Sequence, residues 1–431
     1  MNKLEDSKSM ESFYALNIGA IWAHFKKENF SFWMICCYLF FEYVRPQSIL
    51  PWLDILPWAQ LFIILAGLGW LIDSNKQWTK NAANKWMVLF FVVILISSSQ
   101  AYWPQLSYEH LGDFYTWMII YFLIINIVTT EKRLFIFLLI FFLASFKLSL
   151  FGAKTWAMRG FSFTSWGMMG PPGYFQNSGE LAIQMLVFSG LSWYFFDAVK
   201  PYLSKWRWWM VGSFSATAAM TVMASSSRGG QLALGALLYL IFLRGKITLK
   251  AVILIFLLAG VGYWLVPEEQ MQRFETMGED KTSQQRLLYW ENGWDMMKKH
   301  PWTGIGFFNY VPYYERNYPE GMLYNSAQLP HNIFVQVGTD VGFVGLFIYL
   351  ALISQVFVNG RIVRKLEAGA SGANSFLSKL SVGLEVGFVG FLVAGQFVSV
   401  VYYPFMWVQL ALIVCVRNVA EHAFVKRVSP R

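Results

Sequence analysis

The chain has 431 residues, of which 56% are hydrophobic and only 14% are charged. Water-soluble domains carry about a quarter charged residues, so this composition excludes a soluble globular protein and indicates one that crosses a membrane many times. The formal net charge of +9 could suit nucleic acid, but the positions of the basic residues along the chain argue against that partner.

Apolar segments long enough to cross a bilayer recur from one end of the chain to the other. A membrane-spanning helix needs about 20 predominantly apolar residues. The sequence therefore predicts an all-α polytopic membrane protein with about 12 transmembrane helices, folded as a single integral membrane domain over residues 1–431. The predicted spans are residues 29–45, 52–72, 86–103, 111–129, 133–152, 180–198, 207–225, 229–243, 249–266, 332–358, 380–401 and 404–422.

The lysines and arginines predict how these spans are oriented. Most of them fall in alternate connecting segments, whereas the short segments on the other side hold only Arg45 and Arg228. Cytoplasmic loops collect positive charge, and long translocated loops are exempt from that rule. We therefore expect both termini in the cytoplasm and an uncleaved first span. The basic excess then reflects orientation, and no nucleic-acid partner is expected.

The longest polar interruption, residues 267–331, lies on the outer side between predicted spans nine and ten. Loops of this length are uncommon unless they are functional or disordered, and the many aromatic residues here are atypical of disorder. Residues 284–299 have the spacing of an amphipathic interfacial helix, with Thr282 as the expected N-cap. The apolar residues that would face the bilayer are Leu287, Trp290, Trp294 and Met297.

Three parts of the outer side carry candidate binding residues. Arg228 follows Ser227 and precedes two glycines, a pattern that predicts an anion-binding concavity, although a cap on a tight hairpin would look similar. Arg286 falls in the first turn of the predicted loop helix, where free backbone N–H groups favour an anion. His331, which precedes Asn332 at the re-entry into the membrane, is the histidine placed to share this face.

Weaker candidates come from the same side of the membrane. The segment 152–180 contributes Arg159 and Gln176, and an interfacial loop with snorkelling basic residues is an equally acceptable interpretation. Asn332 adjoins the candidate histidine. Tyr324 belongs to a tyrosine-rich stretch whose rings could stack on sugars, although tyrosine is also common at any membrane interface.

Several enzyme classes lack their motifs in this sequence. It has no glycine-rich phosphate loop, no metal-spaced Cys/His cluster and no Asp-x-Asp pair, so neither a metal nor another cofactor is expected. If a diphosphate leaves here, Arg228 and Arg286 are the residues available to carry its charge. A histidine such as His331 suits the activation of an acceptor hydroxyl near neutral pH.

The order and spacing of four motifs resemble the O-antigen ligase family, whose superfamily also contains O-antigen polymerases and bacterial protein O-oligosaccharyltransferases. The motifs are Ser-Ser-Arg-Gly-Gly at 226–230, Gln-Arg-Leu at 285–287, His-Pro-Trp-Thr-Gly-Ile-Gly-Phe at 300–307, and His-Asn-Ile-Phe with Asp-Val-Gly-Phe-Val-Gly-Leu within 331–346. They cover residues 225–346, and the twelve-span layout with its large loop extends the resemblance along the chain.

This resemblance implies a GT-C-like membrane fold in the bacterial inner membrane, with 267–331 as a periplasmic loop. It also implies an inverting, metal-independent transfer from an undecaprenyl-diphosphate-linked glycan, in which Arg228, Arg286 and His331 act. The expected partners are that donor, membrane lipid and a hydroxyl acceptor, with the lipid A core oligosaccharide as the first choice.

Other functions stay open at this point. A polysaccharide polymerase or a protein O-oligosaccharyltransferase would use the same donor with a different acceptor. A transporter or flippase of the lipid-linked glycan is the non-enzymatic alternative. Transporters place essential groups near the bilayer midplane on broken helices, whereas the polar candidates here gather on one face, which favours an enzyme.

Overall fold

The structure is a computed structural model that describes residues 3–164, 167–243, 280–369 and 375–428. Throughout these ranges the regular secondary structure is helical, without a strand. The α-helices are α1 (Lys3–Tyr14), α2 (Ile18–Phe25), α3 (Phe30–Val44), α4 (Pro46–Ile49), α5 (Trp58–Ile72), α6 (Ala82–Ser99), α7 (Pro104–Glu109), α8 (Gly112–Ile127), α9 (Glu131–Met158), α10 (Ser178–Val199), α11 (Lys205–Ala224), α12 (Arg228–Leu243), α13 (Lys281–Lys299), α14 (Tyr310–Asn317), α15 (Ile333–Ala368), α16 (Phe376–Ala394) and α17 (Pro404–Val428).

Every predicted span that falls within the described residues coincides with a helix, and the predicted span 249–266 lies outside them. Among the described residues, seven helical segments are long and apolar enough to cross a membrane, and α5 and α12 are shorter apolar helices. The all-helical membrane class is thus confirmed. The count of twelve spans, the GT-C arrangement and the orientation of the termini stay predictions.

Polar residues mark where the helices begin. The side chains of Asn29, Asn81, Thr130 and Ser375 each accept a hydrogen bond from a backbone N–H in the first turn of α3, α6, α9 and α16. Such caps satisfy donors that have no partner inside the helix, and each contributes about 1 kcal/mol. The boundaries of these apolar helices are therefore encoded locally.

Helix α10 lies at the centre of the helical body and packs against α9, α11, α12 and α16. Nearly every residue of its first four turns is buried. Its approach to α16 is close because a Cβ atom at Gly190 would lie 2.7 Å from the backbone nitrogen of Gly387. Small residues permit this close packing of helices where lipid provides no hydrophobic driving force.

Helix α15 is interrupted at Gly342, which has φ 69° and ψ −175°. The turn that follows α13 is hydrogen-bonded to the backbone of α15 at this interruption. The N–H of Ile305 donates to the carbonyl oxygen of Thr339 (2.8 Å), and the N–H of Phe343 donates to that of Pro301 (2.8 Å). Two motifs that are separate in the sequence, 300–307 and the Asp-Val-Gly-Phe-Val-Gly-Leu part of 331–346, thus form one structural unit.

The same interruption is tied to two other parts of the body. Ser97 of α6 donates a hydrogen bond to the carbonyl oxygen of Asp340 (2.6 Å), and Tyr402 donates to the Asp340 carboxylate (2.9 Å). Asp340 is 1% exposed. These bonds connect the interruption, to which the 300–307 turn is bonded, with α6 and with the segment before α17.

Helix α13 differs in two ways from the expectation. It begins at Lys281 with Asp280 as the N-cap, whose carboxylate accepts from the N–H of Ser283, so the prediction of Thr282 as the cap was wrong. A carboxylate three residues before a serine supplies the same cap two residues earlier.

The predicted apolar stripe of α13 is divided between two environments. Met297 is 3% exposed and faces α15, whereas Leu287 and Trp294 are more than half exposed. The prediction that the stripe forms a single face toward the bilayer was therefore wrong, because α13 packs on α15 through part of that stripe.

A small tyrosine-rich core stabilises the described part of the large loop. Tyr289, Tyr310 and Tyr314 are at most 1% exposed and pack with Met296 and Ile305. Tyr310 and Tyr314 are therefore structural and are not available to stack on sugars. Tyr324, at 39% exposed, remains accessible.

We expect Gly342→Ala to destabilise the protein by about 1–3 kcal/mol, because only glycine adopts this backbone conformation readily. A Cβ atom there would also lie 2.7 Å from the carbonyl carbon of Trp302. Thermal unfolding in detergent should show the loss. Gly235→Ala in α12 is the control, since a Cβ at Gly235 meets nothing within 4 Å; equal melting temperatures for the two variants would contradict the prediction.

A candidate anion-binding site where four helices begin

A cavity of about 420 Å³ lies where four helices begin. It is lined by the starts of α10, α12 and α13, by His331, which precedes the N-cap of α15, and by the turn after α16. Backbone N–H groups at a helix start have no partner within the helix and carry a partial positive charge. A site built from several helix starts is therefore suited to an anion.

The capping side chains show how these helix starts are organised. Asn177 and Glu180 form a reciprocal capping box at α10. The hydroxyl of Ser227 accepts from the N–H of Gly230 at 3.3 Å, and the amide oxygen of Asn332 accepts from the N–H groups of Phe334 and Val335. Ser227 and Asn332, predicted as substrate contacts, are used here as helix caps, although Ser227 also lines the cavity.

Arg228 is the first residue of α12 and lines the cavity. The two glycines that follow it let neighbouring elements approach. A Cβ at Gly229 would lie 2.7 Å from Cδ2 of Phe397, and one at Gly230 would lie 2.8 Å from Cβ of Ala182. The Ser-Ser-Arg-Gly-Gly motif thus combines a cap, a cavity-lining cation and two positions where a larger residue would not fit.

Arg286 enters the same cavity from α13. Burial, and then the charge of Arg228, lower the pKa of Arg286 from its ordinary value, although an arginine remains protonated in proteins. Within the described residues its Nε atom is buried without a hydrogen-bond partner. Two guanidinium groups therefore share one partly desolvated cavity, which disfavours both charges unless an anion accompanies them.

Asp280 supplies one negative charge at the cavity wall. Its Oδ2 atom lies 3.1 Å from Nη1 of Arg228 and also accepts from the hydroxyl of Ser283. Burial opposes the ionisation of Asp280, but the hydrogen bonds from Arg228 and Ser283 outweigh it and lower the pKa of the carboxyl group to about 2. Asp280 is therefore ionised at neutral pH.

His331 is held in an unusual backbone conformation beside Arg286. Its φ angle is 52°, a left-handed value that few non-glycine residues adopt, and its N–H donates to Oγ of Ser399 at 2.8 Å. Ring atom Nε2 lies 3.1 Å from Oε1 of Gln328. With that oxygen as acceptor the ring proton is on Nε2, and Nδ1 keeps its lone pair.

Burial, followed by the charge of Arg286, lowers the pKa of His331 from 6.5 to about 4. The imidazole is thus neutral at physiological pH in the ligand-free protein. The expectation of a group that titrates near neutral pH is wrong for this state, because a cation and a partly apolar environment both disfavour the imidazolium.

The remaining candidates lie farther from the cavity. Tyr324 borders it indirectly, since its hydroxyl lies 3.1 Å from Oγ1 of the lining residue Thr282. Arg159 is exposed at the end of α9, and Gln176 is exposed beside the lining residue Asn177; neither of these two lines the cavity. The structure thus gathers Arg228, Arg286, His331 and Ser227 but not Arg159 or Gln176.

Sequence reasoning missed Asp280 and Ser399. The pattern Asp280-x-x-Ser283 is a capping signal and could have identified the aspartate as a helix start. No local signal marks Ser399, because its role depends on a contact 68 residues away along the chain.

The fold and the site define a helical membrane protein with an electropositive cavity at one end of its helices. Residues 213–350 match the family model described as O-antigen ligase. The match spans Arg228, Arg286 and His331, and it confirms the resemblance carried by the motifs. It supports an enzymatic activity of the O-antigen ligase or polymerase type. No curated protein matches the chain.

We expect Arg228→Gln and Arg286→Gln each to weaken the binding of inorganic pyrophosphate about tenfold or more, because a charge-assisted hydrogen bond contributes about 1.5–3 kcal/mol. Isothermal titration calorimetry of the full chain in nanodiscs, with EDTA present, measures this. Arg361→Gln, an exposed position on α15, is the matched control. Arg159→Gln tests that weaker candidate, and unchanged affinity in both cavity variants would contradict the anion site.

Proposed function

We propose that the protein is a glycosyltransferase that moves a glycan from an undecaprenyl-diphosphate carrier to an acceptor hydroxyl. The transfer is inverting and metal-independent, and it takes place on the periplasmic face of the bacterial inner membrane. The observation that carries the proposal is one cavity that joins Arg228, Arg286 and His331 at the starts of four helices. The O-antigen ligase match across these residues supports it.

The donor diphosphate would lie between the two arginines. When the bond between the anomeric carbon and the phosphate oxygen breaks, negative charge develops on the departing lipid diphosphate. Guanidinium groups and helix starts that already face this position stabilise that charge without rearranging, which lowers the barrier to the reaction. A divalent metal is not required for this role if Arg228 and Arg286 both contact the diphosphate.

His331 would accept the proton of the acceptor hydroxyl while the acceptor oxygen forms its bond to the anomeric carbon. The hydrogen bond between Nε2 and Gln328 leaves Nδ1 as the basic atom. A bound diphosphate would neutralise the field of Arg286, one of the two causes that lower the pKa of His331. Donor binding would therefore raise that pKa and make the imidazole a stronger base at the moment when it is needed.

The lipid A core oligosaccharide is our preferred acceptor. A polymerase, whose acceptor is a second lipid-linked glycan, or a protein O-oligosaccharyltransferase would use the same cavity, and the family match supports ligase and polymerase types alike. A transporter is disfavoured because the described charged candidates gather where helices begin rather than midway along them.

We expect His331→Ala to reduce glycan transfer at least about 100-fold, the lower range for loss of a general base, while pyrophosphate binding stays within about twofold of normal. The readout is transfer from purified lipid-linked donor to lipid A core, measured with EDTA present. His422→Ala, an exposed position on α17, is the control. Normal transfer by His331→Ala would exclude the catalytic role.

The pH dependence provides a separate test. Activity requires neutral His331, so the rate should fall as pH falls through its pKa. Because that pKa is about 4 in the free protein, the acid limb of kcat/KM should lie well below 6.5. The limb of kcat, which reports the donor complex, should lie at higher pH. Coincident limbs would show that donor binding does not change the pKa of His331.

A further inference from the structure

The Asp280 carboxylate is already paired with Arg228, one of the two arginines that the proposed reaction requires. Oδ2 of Asp280 lies 3.1 Å from Nη1 of Arg228, and both side chains are 29% exposed. Asp280 also interacts electrostatically with Arg286, because the negative charge of Asp280 counteracts the lowering of the Arg286 pKa. In the ligand-free protein, therefore, a side chain of the protein itself supplies an anion to this cavity.

A phosphate group and a carboxylate compete for the same hydrogen-bonding positions on a guanidinium group. We propose that Asp280 is an internal competitor of the diphosphate: it binds Arg228 in the empty site, yields to the donor, and returns to help expel the lipid-diphosphate product. The inference rests on the proposed glycosyl transfer. It assigns Asp280 a role in donor affinity and product release, not in bond making.

The charge balance of the reaction shows why a competitor is useful. The donor diphosphate is esterified at both ends and carries two negative charges. Transfer forms a bond between the acceptor oxygen and the anomeric carbon and breaks the bond between that carbon and the phosphate oxygen. The phosphate oxygen stays on the lipid diphosphate, and the acceptor proton moves to His331. The product therefore carries one more ionisable oxygen than the donor, and the two arginines bind it more tightly. A carboxylate that rebinds Arg228 offsets part of this difference and speeds release.

The position of Asp280 suits the exchange. Its Oδ1 atom accepts from the N–H of Ser283 and caps α13 independently of Arg228, so helix α13 keeps its cap when the arginine is released. The ion pair also links the start of α12 to the helix that carries Arg286. A diphosphate that replaces Asp280 can therefore bridge Arg228 and Arg286. Among the hydrogen bonds of the described residues, the Asp280 carboxylate binds Arg228 and does not bridge the two arginines.

Asp280→Asn is the informative variant, because asparagine caps a helix as well as aspartate does but lacks the charge. We expect it to bind inorganic pyrophosphate about two- to fivefold more tightly than the unmodified protein, the range for a partly exposed ion pair. Calorimetry on the full chain in nanodiscs measures this. Glu291→Gln, an exposed acid three turns along α13, makes the same charge change and should leave the affinity unaltered.

A double-mutant cycle separates competition from a general electrostatic effect. In the Arg228→Gln background, Asp280→Asn should have less effect, because the guanidinium group that Asp280 contacts is no longer present. An undiminished effect would overturn the competitor role. A second readout is kinetic: Asp280→Asn should slow multiple turnovers at least about twofold relative to a single turnover, and an unchanged ratio would overturn the proposed role in release.

The outcomes distinguish this inference from the proposed function. If the unmodified protein binds no pyrophosphate, or the arginine variants bind it normally, the proposed function fails. If pyrophosphate binds through both arginines but Asp280→Asn binds no more tightly, only the role of Asp280 is overturned. Asp280→Ser, which also caps a helix without charge, replaces Asp280→Asn if that variant does not fold.

Discussion

The guanidinium groups of Arg228 and Arg286 repel each other in one partly buried cavity. The other groups of the site either add to this repulsion or offset it. The starts of four helices add partial positive charge instead of relieving it. Such a cavity is unfavourable when empty and favourable when an anion enters, since the same charges that repel one another all attract the ligand. Asp280 provides partial relief in the ligand-free protein through its contact with Arg228. The site is thus preorganised for an anion at some cost in stability.

This charge can be concentrated only because the helices approach closely. Gly179, Gly229 and Gly230 each lie where a Cβ atom would come within 3 Å of a neighbouring element. Farther along α15, the 300–307 turn binds at the interruption at Gly342, and this contact orients the described part of the large loop. Close packing in the helical body and the position of Arg286 in the cavity are therefore parts of one arrangement.

The charge of the cavity also determines the state of the histidine. His331 is neutral in the empty site because burial and the cation beside it disfavour protonation. An enzyme of the proposed kind gains from this coupling. In such an enzyme the base would be weak while the donor is absent, which limits unproductive proton transfer, and it would become stronger when the diphosphate neutralises Arg286. Substrate binding and base strength are then linked through one electrostatic contact.

The sequence by itself determined the helical membrane class, because the length of an apolar segment and the cap before it are local properties. It also identified Arg228, Arg286 and His331 as candidates, because their residue types carry the chemistry of anion binding and proton transfer. It did not determine which neighbours they have. Tyr310 and Tyr314 are buried, the stripe of α13 is divided, and Asn332 serves as a cap. Only tertiary packing brings Asp280 to Arg228 and Ser399 to His331, since those contacts join residues far apart in the chain and depend on how whole helices fit together.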